Sequence, residues 1–515
     1  MIPQAEQVCA KNVILAKNLF MIRTKIKIDT NYEVGKIDPR IFGGFIEHMG
    51  RCIYEGIYDP KSDFADEDGF RTDVLESLKA LNIPVVRYPG GNFASGYDWM
   101  DGIGEKNNRP VIREFAWQSI ETNTFGTDEF LKLCLKMNWA PMITVNLGTG
   151  TPEMARNWVE YTNSPKGTKY SNMRFLNGNE EPFGINLWCL GNEMDGDWQI
   201  GHVPAKNYAI RAQQAAKMMK DVDGSIETVL CGSSNTDLST YPQWDVEVLD
   251  YVGDLADYIS LHKYVGNHNK NISDFLAVTN AIDQQIETID SVCKFIQSKH
   301  RSKKRAYLCF DEWNVWYKEG DLDGKGKFAP HLIEEIYTIE DALVVAGFLN
   351  SFIRHADVVK IANIAQLVNV IAPIITRENE ILIQSIYYPF QIISSNGRGI
   401  ALDLKVSGDG YESESYGYVN YIDSSAVLDK NALNIFLIAR NINEQAEIEI
   451  EIGNKIIKKI INCDIVNAKK PEMKNSFSKP DAIKVNSYNK VELEKNKINL
   501  IAPPLSFIHL GLKLK

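Results

Sequence analysis

Trp188-Cys189-Leu190-Gly191-Asn192-Glu193 and, far downstream, Phe310-Asp311-Glu312-Trp313-Asn314 are the two stretches on which the reading of this chain turns. Each is a short apolar run that stops abruptly at a carboxylate set among amide and aromatic side chains. A run of that length reads as a buried strand, and its polar end reads as a place where chemistry is done. One glutamate at a strand end is as readily a structural ion pair as a functional group. Two of them, each beside tryptophan, point to the paired carboxylates that cleave a glycosidic bond.

On either side the same pattern recurs. Short apolar runs at 41–48, 84–88, 141–147, 186–193, 228–233, 258–264, 306–313 and 360–369 alternate with amphipathic stretches. Val74, Leu75, Leu78 and Leu81 share one helical face, as do Phe130, Cys134 and Met137. Thr151-Pro152-Glu153 supplies a capping hydroxyl, a first-turn proline and an acid at the positive end of a helix. Further helices are expected at 205–222, 272–298 and 340–355. Eight buried strands alternating with helices make a (β/α)8 TIM barrel, assigned to 41–383. A doubly wound sheet would carry a glycine fingerprint after its first strand, and none is there. Glu193 then ends the fourth strand and Glu312 the seventh, across the barrel mouth from each other.

Beyond about residue 384 helical periodicity fades. The runs 433–439, 447–452, 455–461 and 498–512 read as strands separated by Asn, Gly, Asp and Pro. Thr24-Lys25-Ile26-Lys27-Ile28 alternates in the same way. Residues 23–40 and 384–515 are therefore expected to form an all-β, jelly-roll-like sandwich. Residues 1–22 are expected to be a disordered extension and not a signal peptide, because Lys11 and Lys17 interrupt their apolar pieces.

At 515 residues the chain exceeds what one small core needs. A net charge of −11 argues against nucleic-acid partners and against attraction to an anionic membrane. No apolar run is long enough to span a bilayer. The eight cysteines are too sparse for a disulfide scaffold. Cys189, Cys231 and Cys309 lie inside apolar runs, so a reducing, cytoplasmic setting is expected.

In such barrels the site is built at the C-terminal ends of the strands. Those ends deliver Glu47 and His48, Arg87 and Asn92, Asn146, Asn192 and Glu193, Ser233, His262 and Tyr264, Glu312 and Gln366. The set is rich in groups that bind hydroxyls and lacks a phosphate cradle, which favours a sugar. Trp99, Trp117, Trp198, Trp313 and Trp316 lie nearby in sequence and could stack on sugar rings or fill cores. A binuclear metal centre at Glu47, His48, His262 and Glu312 has no HxH or HxxEH pattern behind it, so no metal is expected.

Gly44-Phe45-Ile46-Glu47-His48, Arg87-Tyr88-Pro89-Gly90-Gly91-Asn92-Phe93, Gly191-Asn192-Glu193-Met194-Asp195-Gly196, Asp311-Glu312-Trp313-Asn314 and Ile364-Ala365-Gln366-Leu367-Val368-Asn369 resemble the α-L-arabinofuranosidases of glycoside hydrolase family 51. The likeness runs from about Thr24 to the C-terminus and includes Pro503-Pro504-Leu505-Ser506. The resemblance implies a barrel joined to a sandwich and cleavage with retention of anomeric configuration. It implies Glu193 as general acid/base and Glu312 as nucleophile. Glu47, Arg87, Asn92, Asn192, Tyr264 and Gln366 would hold the arabinose or orient the glutamates, with Asn192 at the sugar 2-hydroxyl; Trp117 and His262 are further candidate substrate contacts. It further implies a homo-oligomer, often a hexamer, with an oligosaccharide substrate and no cofactor. The expected activity is exo-cleavage of terminal α-L-arabinofuranosyl units from arabinan- or arabinoxylan-derived oligosaccharides. A xylosidase or β-glucanase specificity, or a non-catalytic carbohydrate-binding protein on the same fold, are the alternatives. The chain departs from the family pattern at 379–384, where a Gly-rich segment with Trp is usual. It also departs at Lys263 and Val265, where Gln and Tyr are more familiar.

Overall fold

Eight parallel strands close into a barrel: β1 (Gly43–Phe45), β2 (Val85–Tyr88), β3 (Ala140–Val145), β4 (Leu187–Leu190), β5 (Glu227–Leu230), β6 (Tyr258–Val265), β7 (Tyr307–Val315) and β8 (Val359–Ala365). They pair in chain order, and β8 returns to β1 through Asn363–Gly43 and Ala365–Phe45. The computed structural model describes residues 21–318 and 323–515. All but the last two positions of the expected 1–22 extension lie outside the described residues.

Every apolar run read as a barrel strand overlaps one. The barrel interior is plugged by Val85, Met142, Leu187, Cys189, Val229, Tyr258, Cys309 and Ile361, each contributed by a strand and each buried. A filled interior forces the site to the open end, which is where the strand-end polar groups emerge.

The strand Ile22–Lys36 belongs to a second sheet. It pairs antiparallel with Ile400–Gly408 and parallel with Ala446–Ile452. Ten strands form this ladder. Tyr488, between its two ends, donates its N–H to Cys463 O at 2.8 Å and its hydroxyl to Ile501 O, so the sheet folds over on an aliphatic core. The single run expected at 498–512 is two strands, Lys497–Ala502 and Ser506–Leu514. Pro503 and Pro504 break it, lacking the N–H groups a ladder needs.

One element differs in kind from the sequence reading. Within 384–515, expected to be all β, Tyr387–Asn396 is an α-helix. It packs on the barrel: Ser394 Oγ donates to Leu81 O at 2.7 Å and Tyr387 OH to Ser77 O at 2.8 Å. Its buried residues, Tyr387, Phe390, Ile392 and Ile393 among them, are aromatic and β-branched types that favour strands when context is unknown.

Barrel and sheet meet on the helix Ile339–Arg354, which is buried along nearly its whole length. Asn350 Nδ2 donates to Asp423 Oδ1 at 2.6 Å and Arg354 Nη1 to the same oxygen at 3.1 Å. Arg440 Nη2 binds the other oxygen of Asp423.

Candidate active site

The register of β7 against β6 slips between Cys309 and Glu312, and against β8 between Phe310 and Trp313. Such irregularities bend a strand and re-aim its side chains. Here consecutive carboxylates both reach the interior. Asp311 meets Arg87, Ser260 and His262, while Glu312 meets Arg87 and Tyr264.

Arg87, at the end of β2, is fully enclosed. Its Nη1 donates to Glu312 Oε1 at 2.6 Å, Nη2 to Asn192 Oδ1 at 2.7 Å and Nε to Thr144 Oγ1 at 3.0 Å, with Asp311 Oδ2 3.2 Å from Nε. Burial opposes the guanidinium charge, but Asp311 and Glu312 hold it protonated. The same pairing outweighs burial at Asp311 and holds that carboxyl down at about 2. Tyr264 OH donates to Glu312 Oε2 at 2.8 Å. Burial and the charge of Glu312 push this phenol well above its usual range, so it stays a donor. Both oxygens of Glu312 are thereby fixed.

On the opposite wall, β4 ends at Leu190 and the chain turns at Gly191 (φ +88°) and Glu193 (φ +44°). A left-handed non-glycine residue at a site is a strain that surrounding bonds must hold. Trp198 Nε1 donates to Glu193 Oε2 at 2.6 Å, and His262 Nδ1 lies 2.9 Å from Oε1. The other ring nitrogen of His262 faces Asp311 Oδ1 at 3.4 Å. Burial alone would push this imidazole down, yet Glu312, Asp311 and Glu193 hold it well above its ordinary value. One oxygen of Glu193, one of Glu312 and a nitrogen of His262 lie within 4.8 Å of one another. Such a trio could in principle ligate a cation.

These walls enclose a cavity of about 380 Å³. Glu47, Asn92, Trp117, Glu193, His262, Tyr264, Glu312 and Gln366, all singled out in the sequence, line it together with Trp198 and Trp316. Glu47 is held by the N–H groups of Gly91 and Phe93, each 3.0 Å from Oε1, and Gln366 Nε2 approaches Oε2 at 3.3 Å. Burial, with the neighbouring Glu312 charge, pushes Glu47 up to about 8. Asn92 Oδ1, Gln366 Oε1 and Trp117 Nε1 are buried and find no partner among the described residues. In a cavity wall such atoms are open to a hydroxylated ligand.

Arg87 and Asn192 stand behind the wall and do not line it. Arg87 orients Glu312. Asn192, expected at the sugar 2-hydroxyl, engages Arg87 through Oδ1 and Gln199 through Nδ2 at 3.3 Å. His48 turns away to Glu121 and Tyr88 and stacks on Phe93, so it shares no site with Glu312. Asn146 binds the N–H groups of Gly148, Thr149 and Gly150, and Ser233 binds Asp245. Both brace strand-to-helix turns. Trp99 and Trp313 fill the core. Asp311 was missed, although it sits inside a quoted motif, because its role depends on the bulge. Ser234, Asn235, Ile333 and Ile371 also line the cavity from loops that no periodicity marks.

Comparison with known proteins agrees along most of the chain. Residues 77–285 match the α-L-arabinofuranosidase 1 domain and residues 311–506 the α-L-arabinofuranosidase C-terminal domain. An intracellular exo-α-(1→5)-L-arabinofuranosidase of Acetivibrio thermocellus is 43% identical over 91% of this chain and 95% of its own length. One of the same name in Bacillus subtilis is 46% identical over 84% and 87% respectively. The structure of a family 51 α-L-arabinofuranosidase from Bifidobacterium longum superposes with a TM-score of 0.91 at 34% identity, covering 95% of this chain and 99% of that one.

Proposed function

This chain belongs to the glycoside hydrolase family 51 α-L-arabinofuranosidases, and we propose that it removes terminal α-L-arabinofuranosyl units by double displacement, with Glu312 as nucleophile and Glu193 as acid/base. Glu312 attacks the anomeric carbon while Glu193 gives its proton to the leaving oxygen. A covalent glycosyl-enzyme forms on Glu312. Glu193, now a carboxylate, takes a proton from water, which displaces Glu312 and restores the original anomeric configuration.

The separation of the two carboxylates carries this reading. Oxygens of Glu193 and Glu312 lie within 4.8 Å of each other. Retaining enzymes keep their carboxyls about 5–5.5 Å apart, whereas inverting ones need roughly 6.5–9.5 Å to admit water. Arg87 and Tyr264 each bond one oxygen of Glu312 and aim it. A protonated Glu47 supplies a donor for a sugar hydroxyl, and Asn92, Trp117 and Gln366 supply the unpartnered groups around it. His262 holds Glu193 in place.

The natural substrates in this reading are α-1,5-linked arabino-oligosaccharides met inside the cell, as the names of the two bacterial relatives suggest. Self-association, as a hexamer, is part of the same reading, and sedimentation velocity tests it directly. For the chemistry, the test is proton NMR of 4-nitrophenyl α-L-arabinofuranoside hydrolysis, with Glu312→Ala as control. First-formed α-anomer and loss of turnover by several orders of magnitude in the variant are expected. First-formed β-anomer, or an active variant, would overturn the mechanism. Turnover of the xyloside in preference to the arabinofuranoside would overturn the specificity.

A further inference from the structure

The cavity holds a cation that no step of this reaction uses. Lys263, between His262 and Tyr264 on β6, lines the cavity and donates from Nζ to Thr236 Oγ1 at 3.0 Å. An ammonium has three donors. Among the described residues Lys263 makes no ion pair, and burial pushes its amine down from the ordinary lysine range while Asp237 pulls the other way.

Its place decides what it meets. Thr236 belongs to the loop after β5, which also brings Ser234 and Asn235 to the cavity. Ser234 N–H donates to Asp195 Oδ2 at 2.8 Å, which ties that loop to the segment carrying Glu193. Glu193 protonates the leaving oxygen, so this wall is the leaving-group side. The opposite end, with Glu47, Asn92 and Gln366, suits neutral hydroxyls. A hydroxyl on the leaving group would be served as well by an amide, with no charge to desolvate. A carboxylate there gains a charge-assisted bond that an amide cannot match.

We propose, resting on the arabinofuranosidase reading above, that Lys263 extends the leaving-group side, beyond neutral arabino-oligosaccharides, to a carboxylate-bearing aglycone, such as a uronic acid to which the arabinofuranosyl unit is joined, for which it adds a charge-assisted contact. Lys263 is a specificity-determining residue, outside the bond-making steps.

The test compares kcat/KM for 4-nitrophenyl and 3-carboxy-4-nitrophenyl α-L-arabinofuranosides in wild type, Lys263→Met and Lys263→Arg. The acidic-to-neutral ratio is expected to fall roughly tenfold or more in Lys263→Met, and to persist in Lys263→Arg. In the wild type alone, raising salt to about 0.5 M should shrink the ratio by screening, a readout that needs no variant. A bond to Thr236 that merely braces the loop would slow both substrates alike, leave the ratio unmoved and overturn the proposal, as would a salt-insensitive ratio. Turnover of neither substrate by the wild type would instead remove the arabinofuranosidase reading, and this proposal with it.

Discussion

At the scale of single residues, the site is a set of carboxylates in unlike surroundings. Glu47 is the one whose charge is least supported, since burial and Glu312 push it up to about 8. The unfolded chain ionises this group in the usual carboxylate range, near 4.3. Between about pH 4.3 and 8 the folded state therefore holds the extra proton, and stability falls as pH rises through that window. Glu47→Gln removes this loss. Relative to wild type the variant should gain stability from pH 5 to pH 8 and level off above, as measured by urea unfolding. A difference that stays flat would mean that Glu47 is already ionised at neutral pH. Gly91 offers a steric test. A Cβ there would lie 2.6 Å from Glu312 Oε1, an atom that Arg87 anchors. Gly91→Ala should leave the circular dichroism spectrum intact and lower kcat/KM by on the order of 10²-fold, the cost of displacing a reacting group by about an ångström.

Elements show why some of the molecule could be read in advance and some could not. The eight barrel strands were legible because both faces of each are buried, which makes them continuous apolar runs. The polar ends of those runs exposed Glu47, Glu193, Glu312 and Gln366. Arg87 and Asn192 were equally visible, but distance in sequence cannot tell a wall residue from the one behind it. The helix Tyr387–Asn396 was hidden because it is apolar around most of its girth and carries Ile392-Ile393. Its docking rests partly on Ser394, whose Oγ satisfies the Leu81 carbonyl. Ser394→Ala leaves that buried acceptor unmet and should cost about 1–3 kcal/mol in chemical denaturation. No measurable cost would mean that the helix is held by its apolar face alone.

For the molecule as a whole, the helix Ile339–Arg354 is the shared wall of barrel and sheet, and Asp423 is the anion at its foot. Asn350, Arg354 and Arg440 all converge on that carboxylate. Asp423→Asn strands buried guanidinium charge, and removing one partner of such a pair costs about 3–5 kcal/mol. The expected result is a lower melting temperature with barrel and sheet still melting in one transition. Two separated transitions would show that this contact, and not the rest of the helix interface, is what couples the halves. The strand Ile22–Lys36 adds a temporal demand. It is made first, yet it pairs with Ile400–Gly408 and Ala446–Ile452, which are made late. At roughly 5–20 residues per second, the ribosome needs about 20–70 s to pass from Lys36 to Ile400. For that time the strand waits outside the tunnel with no ladder to join, while the whole barrel is laid down behind it. Arg23, Lys25 and Lys27, alternating with its isoleucines, keep one face of it wet and charged in the interval.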